Sequence, residues 1–290
     1  MYKSFPEVFH DGAYIQSRST MVYRTILSMS AFDEGLKEMN PSLNITRQTG
    51  ERFQKYLSNF DNMNVKYDEI KRICDSVSNV TLDPSRFLNS LVSDTAWLSA
   101  NIPQPRSLFY NLYRLASDME DVSYLGIDLY PYFTPEELWS LYNYDTIMTF
   151  LFCGPSVLNG AAAMKDEIPL LSNIIETADQ VISDGSQAAT LRFGHDTNIT
   201  PLQMLMGIQE YGTSTTVSDL SKVSENWQMW IISPMCSNLQ IIFYRKADDV
   251  IVKILRNEQE VSLPIEPVNW PYYRWSDVRA YWMDRMDDVR

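Results

Sequence analysis

The sequence predicts an α/β fold, with a mixed sheet core that is flanked by helices and interrupted by a mostly helical lobe. Three observations lead to this prediction. Strand-like segments lie near both ends of the 290-residue chain, the middle is mostly helical in pattern, and one apolar run ending in glycine has the length of a buried strand. Strands at both ends with helices between them are typical of an α/β core that carries an insertion.

The composition allows a sizeable core and limits the classes of partner. The chain is 45% hydrophobic and 12% aromatic, which is too apolar for a disordered protein. Its formal net charge of −13 argues against nucleic acid as the main partner, whereas a local cluster of arginines can still bind a small phosphorylated molecule. No stretch approaches the roughly 18 apolar residues of a transmembrane helix, so no membrane association is expected. The first residues contain no apolar run of signal-peptide length, so the chain as written is expected to stay in the cytoplasm.

The first 47 residues have the pattern of a strand, a helix and a second strand. Residues 12–17 form the first predicted strand, and residues 43–46 the second. The helix between them is expected to end at Asn40-Pro41, because the residue before a proline disfavours the helical conformation. Three hydroxyl residues are candidate N-caps for this helix: Ser17, Ser19 and Thr20. Four apolar residues recur at near-helical spacing within it: Val22, Ile26, Met29 and Leu36.

Residues 48–169 are predicted to be mostly helical, with prolines between the helices. The clearest helix start is at Thr134, where threonine caps, Pro135 takes the first helical position and Glu137 completes a capping box. We therefore assign residues 1–47 and 170–290 to the α/β core and residues 48–169 to the helical lobe.

The C-terminal part returns to strands. Residues 187–194 are predicted as a buried strand, followed by a helix over 199–206 that Gly207 stops. Residues 239–245 and 250–256 alternate in polarity and are joined by a short loop, which predicts a hairpin. A final amphipathic helix is predicted over 275–286.

The three cysteines are Cys74, Cys153 and Cys236, and they are far apart without a CxxC pair. This spacing gives no indication of a zinc or redox motif, and a single disulfide is allowed but not indicated. Cys236 has an apolar setting and is predicted to be a core residue.

Only two histidines are present, and His195 is the candidate for function. A lone histidine is usually structural, but His195 directly follows the strand over 187–194, and ligand sites of α/β sheets lie beyond the carboxyl ends of strands. Asp196 is adjacent, so an imidazole and a carboxylic acid leave the same strand end. The alternative for Asp196 is a helix N-cap. His10, in Phe-His-Asp-Gly, is predicted to lie in a surface turn.

Arg18 and Arg24 lie on either side of the predicted start of the first long helix. Free backbone N–H groups, the positive end of the helix dipole and guanidinium groups together would make a phosphate-binding site. The alternative is that both are ordinary surface arginines. The sequence contains no glycine-rich phosphate loop, no Gly-x-Ser-x-Gly motif and no His/Cys cluster, so no metal or cofactor is predicted.

Several segments together resemble the histidine acid phosphatase branch of the histidine phosphatases, and among these the bacterial proteins related to multiple inositol polyphosphate phosphatase and phytases. The most specific segment is Leu191-Arg-Phe-Gly-His-Asp-Thr-Asn198, with Pro201-Leu202 after it. The others occur in the expected order along nearly the whole chain: Arg18-Ser-Thr-Met-Val-Tyr-Arg24, Ser28-Met-Ser-Ala-Phe32, Thr134-Pro-Glu-Glu-Leu-Trp139, Asn238-Leu-Gln-Ile-Ile-Phe-Tyr-Arg245 and Tyr273-Arg-Trp-Ser-Asp277.

The resemblance implies a phosphomonoesterase that acts through phosphohistidine on organic phosphates, inositol polyphosphates among them. In that family a histidine of an Arg-His-Gly motif attacks phosphorus. Carried onto this sequence, Arg24 and His195 bind the phosphate, with Arg18 as a neighbour, and Asp196 protonates the leaving alkoxide. The resemblance implies no metal or cofactor, a small phosphorylated substrate as partner, and a periplasmic or secreted location for a full-length member.

The sequence departs from the family pattern at two points. It contains no Arg-His-Gly, so we expect that it lacks the first core strand and the nucleophilic histidine. Many inositol polyphosphate phosphatases have His-Ala-Glu where this chain has His195-Asp196, which weakens the assignment of substrate but not of reaction class. Three interpretations stay open: the C-terminal portion of an active phosphatase, a protein that binds phosphorylated ligands without hydrolysing them, and a poorly folding remnant without function. The oligomeric state is not predicted.

Overall fold

The structure is a computed structural model, and it describes residues 2–58, 66–209 and 220–290. These residues divide into two compact units. The core unit, as we name it, comprises the described residues within 1–65, 153–216 and 229–290, and the helical unit those within 66–152 and 217–228. The domain boundaries expected from the sequence, at 47/48 and 169/170, stay a prediction, because compactness alone does not show that a segment folds by itself.

The described residues confirm the α/β class. The strands are β1 (Tyr14–Ser19), β2 (Asn44–Thr49), β3 (Ala189–Phe193), β4 (Leu239–Lys246), β5 (Asp249–Arg256), β6 (Gln259–Glu260) and β7 (Tyr273–Arg274). The α-helices are α1 (Tyr23–Met39), α2 (Glu51–Leu57), α3 (Tyr67–Thr81), α4 (Ser85–Leu91), α5 (Thr95–Asn101), α6 (Pro105–Asp118), α7 (Pro135–Cys153), α8 (Gly160–Asp166), α9 (Ile168–Asp184), α10 (Asp196–Met206), α11 (Val223–Asn226), α12 (Met229–Ile232) and α13 (Trp275–Asp288).

A three-stranded parallel sheet with the order β2-β1-β3 lies at the centre of the core unit. Buried and half-buried residues alternate along β1, with Ile15, Ser17 and Ser19 buried on one face. Helix α1 covers this face, where the hydroxyl of Ser17 donates to Oδ1 of the buried Asp33 at 3.0 Å. Arg47 of β2 donates to the other oxygen of Asp33 at 3.0 Å, so the buried carboxylate is paired.

The start of α1 differs from the prediction. β1 continues to Ser19, and the N-cap residue of α1 is Val22, whose side chain offers no capping hydrogen bond. Ser17 and Ser19 are therefore strand residues and not caps. Thr20, the third predicted cap, uses its hydroxyl in contacts with other side chains, so the helix begins later than the hydroxyl pattern suggests.

Strand β3 lies where the apolar run predicts a strand, but it is not buried. All five of its residues are half-exposed. In the described part of the chain its only strand partner is β1, so one edge of β3 has no neighbouring strand. The apolar sequence correctly predicts a strand, whereas its burial depends on distant segments that the local sequence does not specify.

The second sheet of the core unit is the predicted hairpin of β4 and β5, extended by β6 and β7. Helix α13, also predicted, packs against it through aromatic contacts. The rings of Trp275 and Phe243 of β4 pack edge to face at a centroid distance of 5.1 Å. Within α13, Trp275 also packs against Trp282, at a centroid distance of 5.9 Å. Trp282 is fully buried, which makes α13 part of the core.

Helix α10 is fixed at its C-terminal end by α13. Gly207 follows the helix with a positive φ of 72°, and the hydroxyl of Tyr281 lies only 2.0 Å from where a β-carbon would stand. Trp282 Nε1 donates to the carbonyl of Met206 at 3.2 Å, and Arg285 donates to those of Leu205 and Met204. These bonds satisfy carbonyls that the helix itself leaves open. Gly207 ends α10 as predicted, although the helix begins at Asp196 and not at residue 199.

The helical unit confirms the capping box. The backbone N–H of Glu137 donates to Thr134 Oγ1 at 3.2 Å, and that of Thr134 donates to Glu137 Oε2 at 2.9 Å. Arg86 donates to the same carboxylate at 2.8 Å, linking α4 to the start of α7. Stacked and tilted rings of Phe87, Phe109 and Phe133 form the centre of this unit's core.

The cysteines are all free thiols, and one prediction about them is wrong. Cys74 and Cys153 are buried, whereas Cys236 is exposed. Cys236 has a positive φ of 58° in a turn where the N–H of Ser237 donates to the carbonyl of Pro234. The apolar neighbours of Cys236 suggest burial, but the turn directs this residue outward. Among the described helices, none is both long and apolar enough to cross a membrane.

Candidate functional site

His195 lies at the carboxyl end of the parallel sheet. It follows β3 and Gly194, and it is the N-cap residue of α10 with extended backbone angles. Its side chain is buried. A β-carbon on Gly194 would stand 3.1 Å from the carbonyl oxygen of Leu57, so glycine allows the end of α2 to approach the chain just before His195.

Arg24, the second residue of α1, contacts His195 directly. Arg24 Nη2 lies 3.3 Å from Nδ1 of the imidazole. Because a guanidinium group only donates hydrogen bonds, Nδ1 is the acceptor and carries no proton. The ring proton of the neutral imidazole is therefore on Nε2. The family resemblance implied that both residues belong to one site, and the structure brings them together.

Two buried threonines form further hydrogen bonds on the other side of the His195 ring. Nε2 of His195 lies 3.2 Å from Thr20 Oγ1, and with its proton on Nε2 the imidazole donates to this oxygen. Thr20 Oγ1 is 2.6 Å from Thr25 Oγ1, which donates to the carbonyl of Val22 at 2.8 Å. These groups form one chain of hydrogen bonds, in which each group donates to the next, from Arg24 through His195 to the carbonyl of Val22. The path fixes the tautomer and the orientation of the ring.

These surroundings favour the uncharged imidazole. Burial lowers the pKa of His195 below its usual range, and the positive charge of Arg24 lowers it further, while Asp196 opposes both effects. His195 is therefore neutral at pH 7 in the absence of a ligand. An anion that neutralises Arg24 would reverse the second effect and favour the protonated ring.

Asp196 is exposed beside this pair, as the first residue of α10. Its Oδ1 accepts a hydrogen bond from the N–H of Thr197 at 2.9 Å. The carboxyl group therefore stands at the positive end of the helix dipole, open to solvent. The N-cap residue of α10 is His195 and not Asp196, so the capping alternative for Asp196 is wrong, whereas a role as acid is compatible with this position.

Arg18 is not part of this arrangement. It lies in β1, not at a helix start, and its side chain projects from the half-exposed face of the sheet, away from α1. Its guanidinium group donates to Gln16, Gln48 and Tyr56 and lies over the ring of Phe53. The structure thus groups Arg24, His195 and Asp196. The described contacts of Arg18 are with other residues. The reason is that β1 runs through residue 19, which fixes the direction of side chain 18.

The structure adds residues that the sequence did not single out. Thr20 was considered as a cap and as part of a motif, and Thr25 was given no role. Under the N-terminal turn of α10, Asn198 Nδ2 donates to the buried carboxylate of Glu167 at 3.1 Å. No local pattern identifies Glu167, because its partner lies 31 positions away and meets it only in the folded chain.

The second histidine is far from the site. His10 is exposed and precedes β1, whereas His195 follows its parallel neighbour β3. The two histidines thus lie at opposite ends of a sheet whose strands of five or six residues span about 17–20 Å. Within the described ranges, no group of three His, Cys, Asp or Glu side chains has the arrangement of a metal site.

The chain has the fold of the histidine acid phosphatases. The multiple inositol polyphosphate phosphatase of Bifidobacterium longum, solved with inositol hexasulfate, matches with a TM-score of 0.70 at 17% identity, over 96% of this chain and 75% of that one. The same phosphatase with phosphate gives 0.71 at 17% identity, over 100% and 78%. A phytase from D. castellii gives 0.63 at 14% identity, over 98% of this chain and 61% of that one. No protein-family model and no curated protein sequence matches the chain.

Proposed function

We propose that the protein binds the phosphate group of an organic phosphate ester between Arg24 and His195, in a site of the phosphomonoesterase type. The contact of 3.3 Å between Arg24 Nη2 and His195 Nδ1 carries this proposal. A permanent cation and a titratable ring face one another at the carboxyl end of a parallel sheet, where ligands of α/β proteins bind. In the described part of the chain, Arg24 has no carboxylate partner.

The local electrostatics suit a doubly charged oxyanion. The guanidinium group of Arg24 offers several donors to phosphate oxygens, and the first turn of α10 adds the positive end of its dipole. Once a phosphate is bound, a protonated His195 would donate from Nδ1 to a phosphate oxygen instead of accepting from Arg24. The overall charge of −13 does not prevent this, because Arg24 places a positive charge directly at the site.

The structural neighbours support the substrate class. The Bifidobacterium longum phosphatase is seen with phosphate and with inositol hexasulfate, and the third neighbour is a phytase. Organic phosphates, inositol polyphosphates among them, are therefore the substrates that we propose for this site. Arg24 and His195 would hold the phosphate, and Asp196 would supply the proton that the leaving alcohol needs.

The proposed reaction needs a nucleophile besides these groups. A nitrogen of a histidine forms a bond to phosphorus as the bond from phosphorus to the ester oxygen breaks, and the proton of Asp196 goes to that oxygen. Water then attacks the phosphohistidine and releases phosphate. In this chain His10 is at the other end of the sheet, and Nδ1 of His195 already faces Arg24. A nucleophilic histidine would therefore have to come from outside these 290 residues.

That observation favours a second candidate function, in which the chain binds phosphorylated ligands and does not hydrolyse them. Both candidates use Arg24 and His195 in the same way. They differ only in turnover, so one pair of measurements separates them.

The test combines calorimetry with a phosphate-release assay on the 290-residue chain. Inorganic phosphate and inositol hexakisphosphate are titrated into the protein, and release is measured with inositol hexakisphosphate and a simple aryl phosphate. Binding with release supports hydrolysis, and binding without release supports the second candidate. Arg24→Gln should weaken phosphate binding about tenfold or more, since a charge-assisted contact is lost. Lys37→Gln, on the same helix, is the matched control. Absence of binding, or equal binding by wild type and Arg24→Gln, would reject both candidates.

A further inference from the structure

Two arginines stand side by side on the sheet face opposite α1. Arg18 of β1 is in register with Arg192 of β3. Residues in register on parallel strands direct their side chains to the same face, so the two guanidinium groups share one surface. Tyr56 of α2 lies close to this pair, because its hydroxyl accepts a hydrogen bond from Arg18 Nη1 at 3.3 Å.

This face is polar along all three strands. Parallel sheets are usually covered on both faces and rich in Val, Ile and Leu. Here every residue on the face is polar: Tyr14, Gln16 and Arg18 from β1, Asn44, Thr46 and Gln48 from β2, and Thr190 and Arg192 from β3. Departures of this kind from the general pattern of a fold are expected at functional sites.

The hydrogen-bond partners of the two arginines are all uncharged. Arg18 donates to Gln16 Oε1 at 2.6 Å and to Gln48 Oε1 at 3.4 Å. Arg192 donates from Nε and Nη2 to Asn173 Oδ1 and from Nη2 to Thr177 Oγ1 at 2.9 Å. Across the described ranges, neither arginine forms an ion pair, and Arg192 Nη1 donates to no protein atom.

Keeping two like charges together in this setting is costly. Both arginines are half-buried. The pKa of Arg192 is lowered to about 10, mainly by burial, and the positive charge of Arg18 contributes to this lowering. Like charges on directly paired strand residues are destabilising, and a half-buried charge without a counter-ion lacks the attraction that offsets its desolvation. A bound anion would supply that attraction.

We propose that Arg18 and Arg192, together with the hydroxyl of Tyr56, form a second binding site for a phosphate or sulfate group, separate from Arg24 and His195. Guanidinium groups bind such oxyanions through pairs of parallel hydrogen bonds. Arg18 is two residues before Thr20, and Arg192 is three residues before His195, so the second site lies about 7–10 Å along the strands from the first. This goes beyond the proposed function, because it requires neither turnover nor Arg24.

The experiment uses sulfate as the probe and Arg24→Gln as the background, so that the first site is disabled. Calorimetry should still detect sulfate binding to this variant. Adding Arg192→Gln, or separately Arg18→Gln, should weaken that binding about tenfold or more. Arg52→Gln is the matched control, because it removes the same charge from an exposed arginine. Arg52 lies over the same ring of Phe53, at 4.5 Å. The control should change the affinity less than twofold.

Two results would overturn the proposal. One is the loss of all sulfate binding in Arg24→Gln alone, which would mean that the first site is the only one. The other is an equal loss for Arg52→Gln and Arg192→Gln, which would indicate a general charge effect. Thermal unfolding checks that each variant folds. If Arg192→Gln does not fold, two other variants test the second site. One is Arg18→Gln, and the other is Arg192→Lys, which keeps the charge and loses the planar guanidinium group. Failure of the proposed function is distinguishable, since it would appear as phosphate binding that does not depend on Arg24.

Discussion

The hydroxyl of Thr20 lies 3.2 Å from Nε2 of His195, although 175 positions separate the two residues along the chain. Together with the contact of Arg24 on Nδ1, it leaves the imidazole only one neutral tautomer. The ring is therefore aligned before any ligand arrives. A ligand anion would find Arg24 and the Nδ1 side of the ring already directed toward it.

We expect Thr20→Val, which replaces the hydroxyl by a methyl group of similar size, to lower the pKa of His195 further. The charged ring gains more from a hydrogen-bond acceptor at Nε2 than the neutral ring does, so losing the acceptor penalises the charged form. The buried N–H also loses its partner, which should reduce the free energy of unfolding by about 1–3 kcal/mol. Nitrogen-15 NMR of the imidazole rings measures the pKa.

His10 is an internal reference for this measurement, because it is the only other histidine and is exposed. Thr20→Ser keeps the hydroxyl and should preserve the pKa of His195. An unchanged pKa in Thr20→Val would show that Thr20 is structurally present but electrostatically unimportant.

Substitutions on the two sides of His195 should move its pKa in opposite directions. Arg24→Gln removes the cation that lowers the pKa and should raise it, whereas Asp196→Asn removes the anion that raises it and should lower it. The same NMR titration follows both variants. Shifts of equal sign would mean that the side chains rearrange and that the observed contacts do not control the ring.

Sulfate binding should become tighter as the pH falls. Sulfate stays divalent over this range, so the change reports the protein. In the free protein the pKa of His195 lies below 6.5. A bound anion raises it, so affinity rises as the pH falls through the raised pKa and levels off below the free-state value. A shift of about one pKa unit corresponds to about tenfold in affinity. Calorimetry between pH 5 and 8 measures this, and His195→Asn should abolish the site's pH dependence.

In the helical unit, Thr134→Ala should destabilise the protein by about 1 kcal/mol, because the first turn of α7 loses its cap. Thr134→Ser should cost less, since it keeps the oxygen.

Glu137 completes the box. Burial raises the pKa of its carboxyl, but hydrogen bonds from Arg86 and Thr134 outweigh this and lower it. The stability from Glu137 is thus present above its unfolded pKa of about 4.3 and is lost as the pH falls through the lower folded value. Chemical denaturation at pH 7 and pH 4 tests both statements, and equal midpoints for all variants would contradict them.

Features that depend on neighbouring residues were predictable from the sequence. The capping box at Thr134 and Glu137, the stop at Gly207, the hairpin of β4 and β5 and the final helix all appear where the patterns predict them. Each arises from interactions within a few residues or from one periodicity. The pairing of Arg24 with His195 was also expected, but only from the resemblance to a known family.

Features that depend on distant contacts were not predictable. The separation of Arg18 from Arg24 follows from where β1 ends, which is decided by its pairing with both β2 and β3. The roles of Thr20 and Glu167 exist only because the residues between β1 and α1, and the residue before α9, meet the N-terminal end of α10 in space. Cys236 is exposed because a turn reverses the chain there, although its neighbours are apolar.

The contact of Tyr281 with Gly207 makes one codon outside the site sensitive to mutation. Any side chain at position 207 would displace the Tyr281 ring or force α10 away from α13, and α10 is the helix whose other end carries His195 and Asp196. In a random-mutagenesis screen for loss of ligand binding, position 207 should therefore tolerate substitution poorly, because its φ of 72° also disfavours any side chain. Such variants would all lose ligand binding. A well-expressed variant would indicate that α10 has shifted, and a poorly expressed variant would indicate that the core has opened.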